Sequence, residues 1–213
     1  MCLAKIPEIL NILDKTYPNA KCGLNFTTPF ELLVAVVLSA RTTDKQVNLV
    51  TSKLFSSTKP FTPQKVLDLG QAALAHEIKS IGLYHTKSQN IYKLAKLLLS
   101  NYAGHVPQTR LALESLPGVG RKTANVVLST AFNFPALAVD THVMRVATRL
   151  GLTHKTTPFK IEADLTKKLP KNIWIKFHHQ LITHGRTFCK KRKPKCHICP
   201  LQTDCTYFNK LMN

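Results

Sequence analysis

The chain has 213 residues, 44% of them apolar, which is enough to bury one large core or two modest ones. Lys and Arg number 30 against 11 Asp and Glu, and the resulting formal charge of +19 favours polyanionic partners. The longest apolar stretch, Leu32 to Leu38, is bracketed by Glu31 and Arg41 and is too short to span a bilayer, and no signal-peptide core follows Met1, so membrane and export classes are set aside.

In chain order, Phe30–Ala40, with Pro29 in the first turn, is apolar on nearly all sides and predicts a buried helix. Thr43 or Asp44 is placed to cap a second helix running to about Ser56. Helical spacing with Gly, Pro or Asn punctuation recurs over Gln71–Ile81, Lys87–Asn101, Thr109–Ser115, Arg121–Ala131, Thr141–Leu150, Pro158–Leu169 and Ile173–Thr187. No period-2 run, fixed repeat or low-complexity linker interrupts them, so an all-α fold is expected. Charge is uneven, net +6 over residues 1–106 and net +13 over 107–213, and this hints at two lobes.

The segment Leu113-Glu114-Ser115-Leu116-Pro117-Gly118-Val119-Gly120-Arg121-Lys122-Thr123-Ala124 reads as helix, tight turn, helix. Gly118 and Gly120 are expected to adopt backbone angles closed to other residues and to let the chain approach a neighbour. The helix after them presents unpaired N–H groups and a positive dipole end, which suits a phosphate oxygen. A plain inter-helix turn is the bland alternative.

Farther on, Asp140 in Val139-Asp140-Thr141-His142-Val143 is the only carboxylate between Glu114 and Glu162, a span rich in Arg and Lys. It is placed to cap the following helix, and a catalytic role is the second possibility. His142 is taken as structural.

Near the C-terminus, Cys189, Cys196, Cys199 and Cys205 form a C-x6-C-x2-C-x5-C run. Four thiolates at this spacing can surround one metal centre, and spacing alone leaves zinc and an iron–sulfur cluster open. Disulfides would need an oxidising compartment. The loop between the first two cysteines carries Lys190, Lys191, Arg192, Lys193 and Lys195, a cationic surface for a phosphate backbone. Cys2 and Cys22 lie far from the run and are read as ordinary thiols.

Three motifs together, Leu116–Val127, Ala138–Val146 and the cysteine run, resemble endonuclease III, the bacterial DNA glycosylase with abasic-site lyase activity of the helix-hairpin-helix superfamily. Leu38-Ser39-Ala40 before Thr42-Thr43-Asp44, and Ile81-Gly82-Leu83-Tyr84, match as well, so the likeness extends over nearly the whole chain. The resemblance implies a [4Fe–4S] cluster on the four cysteines and two helical lobes with a DNA-binding cleft between them. One lobe, about 23–134, would be a six-helix barrel holding the helix-hairpin-helix at about 109–131; the other, 1–22 with 135–213, would hold the cluster.

The same likeness assigns Lys122 as nucleophile and Asp140 as its partner, with Gly118, Gly120, Arg121, Lys191 and Arg192 contacting DNA. A primary amine can attack the sugar C1′, displace a base and form a Schiff base, which a carboxylate or hydroxyl cannot complete. The expected substrate is double-stranded DNA carrying damaged bases, oxidised pyrimidines above all, or abasic sites. The expected enzyme is a cytoplasmic, nucleoid-associated bacterial monomer. Leu83 corresponds to the family's apolar wedge. One departure stands out, because family members usually carry glutamine where this chain has Arg41. Arginine can fill a similar space and stack on or donate to the orphaned base.

Overall fold

A computed structural model describes residues 5–57 and 60–212, so Cys2 lies outside the described residues. Helices follow one another along the chain: α1 (Ile6–Thr16), α2 (Pro29–Leu38), α3 (Asp44–Ser57), α4 (Pro63–Leu69), α5 (Gln71–Glu77), α6 (Tyr84–Tyr102), α7 (Arg110–Glu114), α8 (Arg121–Ala131), α9 (Thr141–Leu150), α10 (Pro158–Lys168), α11 (Trp174–Thr187) and α12 (Thr206–Met212). Among the described residues there is no strand, and no helix is long and apolar enough to cross a membrane.

The chain divides into two compact units, Gly23–Phe134 and Met1–Cys22 with Pro135–Asn213. In the first, α2 is the central element. Thr28 caps it by accepting a hydrogen bond from the Glu31 N–H, and Pro29 occupies the first turn. The Glu31 carboxylate reaches back to the Thr27 N–H and hydroxyl at 2.6 and 2.7 Å, which anchors this buried side chain at the start of the helix. Every residue from Phe30 to Leu38 is then buried, with α3, α6 and α8 packed around it. A cluster of Phe30, Phe55 and Phe61 closes one end of this core.

In the second unit, α11 packs against α9 and α1 around Ile9, Leu13, Val143, Val146, Phe177 and Leu181. The same core reaches Leu201 and Cys205, so the cysteine run is anchored in apolar packing rather than hung from the surface.

The expected segments omit α1, and periodicity also misses α4 and α12. The last two have seven residues each, about two turns, too short for a 3.6-residue pattern to stand out. The helix expected over Gln71–Ile81 stops at Glu77, where Ile78 leaves helical geometry and a turn bond links the Ile81 N–H to the Ile78 carbonyl. Helix α6 starts three residues before the expected Lys87, because Leu83 takes a left-handed conformation and opens the helix from there.

Candidate functional site

Helices α7 and α8 are joined by a turn closed by the Val119 N–H donating to the Leu116 carbonyl. Leu116 and Val119 are buried and hold the turn onto its unit. Gly118, at the third position of the turn, has φ of 79°, and a Cβ there would lie 3.0 Å from Asn90 on α6. Both the backbone angle and the close approach require glycine. Gly120 differs from expectation. It is extended, with φ of −96° and ψ of 177°, and a Cβ would meet open space. It bears no side chain to cap α8, so no side-chain bond takes up the first-turn amides of that helix at its positive dipole end. Lys122, half-buried, is the second residue of α8.

Asp140 caps α9. Its Oδ1 accepts from the His142 and Val143 N–H groups, both at 2.8 Å. Both bonds fall on one oxygen, so Oδ2 has no hydrogen-bond partner among the described residues. Capping and chemistry are therefore compatible roles for this carboxylate. The stretch of chain leading into it is fixed from α11, where buried His178 donates from Nδ1 to the Ala138 carbonyl at 2.7 Å. His142 is tied to Arg145 Nη2 at 3.1 Å, and burial, partly opposed by Asp140, lowers its pKa, in keeping with a structural residue.

The four cysteines of the run form no disulfide and line one pocket together with Arg149, Leu150, His184, Phe188, Tyr207 and Phe208. Among the described residues, no three metal-binding side chains converge on the position of a single ion. Four free cysteines lining one pocket supply the all-thiolate donor set that an iron–sulfur cluster takes. Burial, and then the neighbouring thiolates, push the Cys199 thiol up to about 11, and burial also raises Cys205. Coordination to iron would overcome this and hold all four as thiolates.

Three residues of this site escape a sequence reading. Arg145 and Arg149, one turn apart on α9, look in sequence like part of the general cationic field. Instead Arg145 donates to the Cys189 and Gly185 carbonyls, each at 2.9 Å. Arg149 donates to the Lys190 carbonyl at 2.8 Å and to Cys189 Sγ at 3.5 Å, and its guanidinium lies 4.4 Å from the centre of the Tyr207 ring. The third is His184, buried on α11. Burial lowers its pKa to about 4, so it is neutral at pH 7. Its Nε2 lies 3.6 Å from Cys199 Sγ and its Nδ1 lies 3.0 Å from the Tyr17 hydroxyl. A thiolate at Cys199 selects the tautomer protonated on Nε2, and Tyr17 then donates to Nδ1. An i, i+4 spacing of arginines is the available signal for the first two; nothing local marks His184.

Lys191 and Arg192 are exposed on the loop that Arg149 holds by its backbone. Arg41 and Leu83 lie in the Gly23–Phe134 unit, and both are exposed and left-handed, with φ of 58° and 61°. Leu83 is not a core leucine, since 61% of its surface is open. For branched or bulky residues this backbone region costs about 1–3 kcal/mol, and such strain persists where the surrounding structure imposes it.

Residues 34–171 match the model of the HhH-GPD superfamily of base excision DNA repair proteins, and residues 189–205 match the iron–sulfur binding domain of endonuclease III. The chain belongs to the endonuclease III family. Endonuclease III of Rickettsia conorii is 49% identical over 95% of this chain and 96% of that protein. A solved non-covalent endonuclease III–DNA complex matches with a TM-score of 0.94 at 46% identity, covering 100% of this chain and 99% of that one. A trapped endonuclease III–DNA covalent intermediate, an estranged-adenine complex, matches with the same TM-score of 0.94 at 45% identity and full coverage of both chains. The protein is thus a base-excision DNA repair enzyme with glycosylase and abasic-site lyase activity. DNA is its partner and a [4Fe–4S] cluster its cofactor.

The two hairpin glycines should respond differently to alanine. Gly118→Ala should lower stability by about 1–2 kcal/mol in thermal melts. Gly120→Ala should leave the melt within about 0.5 kcal/mol of wild type while weakening DNA affinity in titrations. A separate expectation concerns the metal. Purified protein should contain about four irons per chain. Arg149→Met should hasten iron loss to a chelator, because the Cys189–Lys191 backbone and Tyr207 lose their common anchor.

Proposed function

We propose that the enzyme excises oxidised pyrimidines from double-stranded DNA and then nicks the strand on the 3′ side of the abasic site, with Lys122 as nucleophile. The observation that carries this reading is the location of an amine in the uncapped first turn of α8, directly after Gly120. The first-turn amides and the helix dipole there can hold a phosphate while the amine meets the sugar beside it. The covalent DNA intermediate of the 45% identical relative supports a nucleophilic, covalent route in this fold.

In the proposed reaction, the Lys122 amine attacks C1′, the N-glycosidic bond breaks and the base departs with a proton. Ring opening leaves a Schiff base. Loss of the C2′ proton then breaks the C3′–O bond and releases the 3′ phosphate, after which water frees the lysine. Asp140 offers Oδ2 to the developing positive charge of the sugar or to the proton transfers, while Oδ1 keeps the cap of α9 in place. Arg41 and Leu83 fill the gap left by the extruded nucleotide, an unstacking that costs a few kcal/mol. Gly118, Gly120 and Arg121 bind the DNA backbone, and so do Lys191 and Arg192.

Cys189, Cys196, Cys199 and Cys205 would hold the [4Fe–4S] cluster. Its contribution is structural: it ties the cysteine run together so that the loop bearing Lys191 and Arg192 keeps its shape. The enzyme is proposed to act as a monomer on nucleoid DNA in a bacterial cytoplasm.

Lys122→Gln should bind abasic-site DNA as wild type does while losing both the borohydride-trapped adduct and strand nicking; a surviving adduct would make another amine the nucleophile. Asp140→Asn should bind DNA as well or better and turn over about three orders of magnitude more slowly, equivalent to roughly 4 kcal/mol of transition-state stabilisation. Asparagine still caps a helix, so its thermal melt should stay close to wild type.

Neutralising Lys191 and Arg192 together should weaken binding to damaged and intact duplexes alike. The slope of log affinity against log salt should flatten by about one unit for each phosphate that is no longer neutralised. Unchanged affinity and slope would make the loop a merely solvated charge run.

A further inference from the structure

Lys87 carries a buried amine that the proposed chemistry leaves unused. Only 5% of its surface is open, and burial lowers its pKa. Its Nζ donates to the Leu38 carbonyl at 2.9 Å, the Ala40 carbonyl at 2.7 Å and the Thr42 hydroxyl at 3.3 Å. An ammonium has three protons, and each has an acceptor here. The two carbonyls lie at and just beyond the C-terminal end of α2, where the helix dipole favours a cation.

These acceptors flank Arg41. The turn that carries it is closed by the Thr42 N–H donating to the Ser39 carbonyl, with Arg41 left-handed at the third position. Glycine or asparagine is the usual occupant of such a position. The other end of Lys87 is tied to Leu83, whose carbonyl accepts from the Lys87 backbone N–H at 3.0 Å as α6 begins. A single residue therefore grips the turn of one strained, exposed side chain with its ammonium and the strained cap of the other with its backbone.

We propose that Lys87 is a positioning residue for base extrusion, fixing Arg41 and Leu83 at one separation so that both enter the duplex together. This rests on the reading of Arg41 and Leu83 as gap-filling residues. Without the ammonium, the segment over residues 38–42 loses three bonds and Arg41 relaxes from its left-handed conformation. Leu83 then faces the duplex alone. Base removal suffers, because it requires extrusion from an intact stack, whereas a ready-made abasic site has less stacking to undo.

The test compares excision of an oxidised pyrimidine with nicking of a preformed abasic site under single-turnover conditions. Lys87→Met should lower the ratio of the two rates about tenfold, and Lys87→Arg, which restores charge and donors, should recover part of that loss. Arg41→Ala with Leu83→Ala should lower the same ratio; if it does not, the gap-filling reading itself fails. Adding Lys87→Met to that double variant should then change the ratio no further, since Lys87 acts through those two residues. A lowered ratio in the double variant that falls again, by the full amount, on adding Lys87→Met would overturn the positioning role and leave gap filling standing. So would an unchanged ratio in Lys87→Met alone. Should Lys87→Met fail to fold, Thr42→Val, which removes only the third acceptor, should lower the ratio about twofold, and an unchanged ratio there overturns the proposal.

Discussion

Cations outnumber carboxylates 30 to 11 in this chain, so the ones that folding draws inward are held mainly by backbone carbonyls. Lys87 takes the carbonyls of Leu38 and Ala40. Arg145 takes those of Cys189 and Gly185, and Arg149 those of Lys190 and Lys191. Lys168 adds the Leu152 carbonyl to its ion pair with Asp164. A carbonyl already oriented by a helix end or turn is a fixed acceptor, and a charged donor strengthens the bond. Every such bond also pins a helix end or a piece of irregular backbone. The segments pinned this way include the turn at Arg41 and the approach to the cysteine run.

The second consequence concerns surface charge. With the buried cations satisfied by backbone, few carboxylates are needed inside the cationic regions. Lys191 and Arg192 stay exposed and available to a polyanion. Asp140 is the exception in the span from Glu114 to Glu162, and one of its oxygens is committed to the start of α9. A carboxylate locked by two backbone N–H bonds has little rotational freedom left, which suits the role proposed for it beside a transient positive charge.

Around the cysteines, the shell is as ordered as the ligands. Arg149 touches Cys189 Sγ and the face of Tyr207, and the Cys205 thiol lies 3.4 Å from the Arg149 carbonyl. His184 and Tyr17 approach Cys199 from α11 and just past the end of α1. Donors directed at the sulfurs stabilise thiolates in a pocket whose burial otherwise disfavours charge.

Much of this protein is legible in the sequence. Apolar periodicity marks the long helices, and the spacing of Cys189, Cys196, Cys199 and Cys205 marks a metal centre, because these signals sit within a few residues of one another. The hairpin around Gly118 and the cap at Asp140 are local in the same sense. Gly120 shows the limit of that reasoning: the motif holds, but the backbone angle expected of both glycines belongs to Gly118 and not to Gly120. What only the tertiary structure decided is set by contacts distant in sequence. His184 meets Tyr17 across 167 residues, and Lys87 meets Leu38 across 49. The left-handed strain at Arg41 and Leu83 is likewise invisible in residue type, since arginine and leucine do not favour it. Sequence names the groups that can do chemistry; the packing of helices far apart in the chain decides which of them are held still.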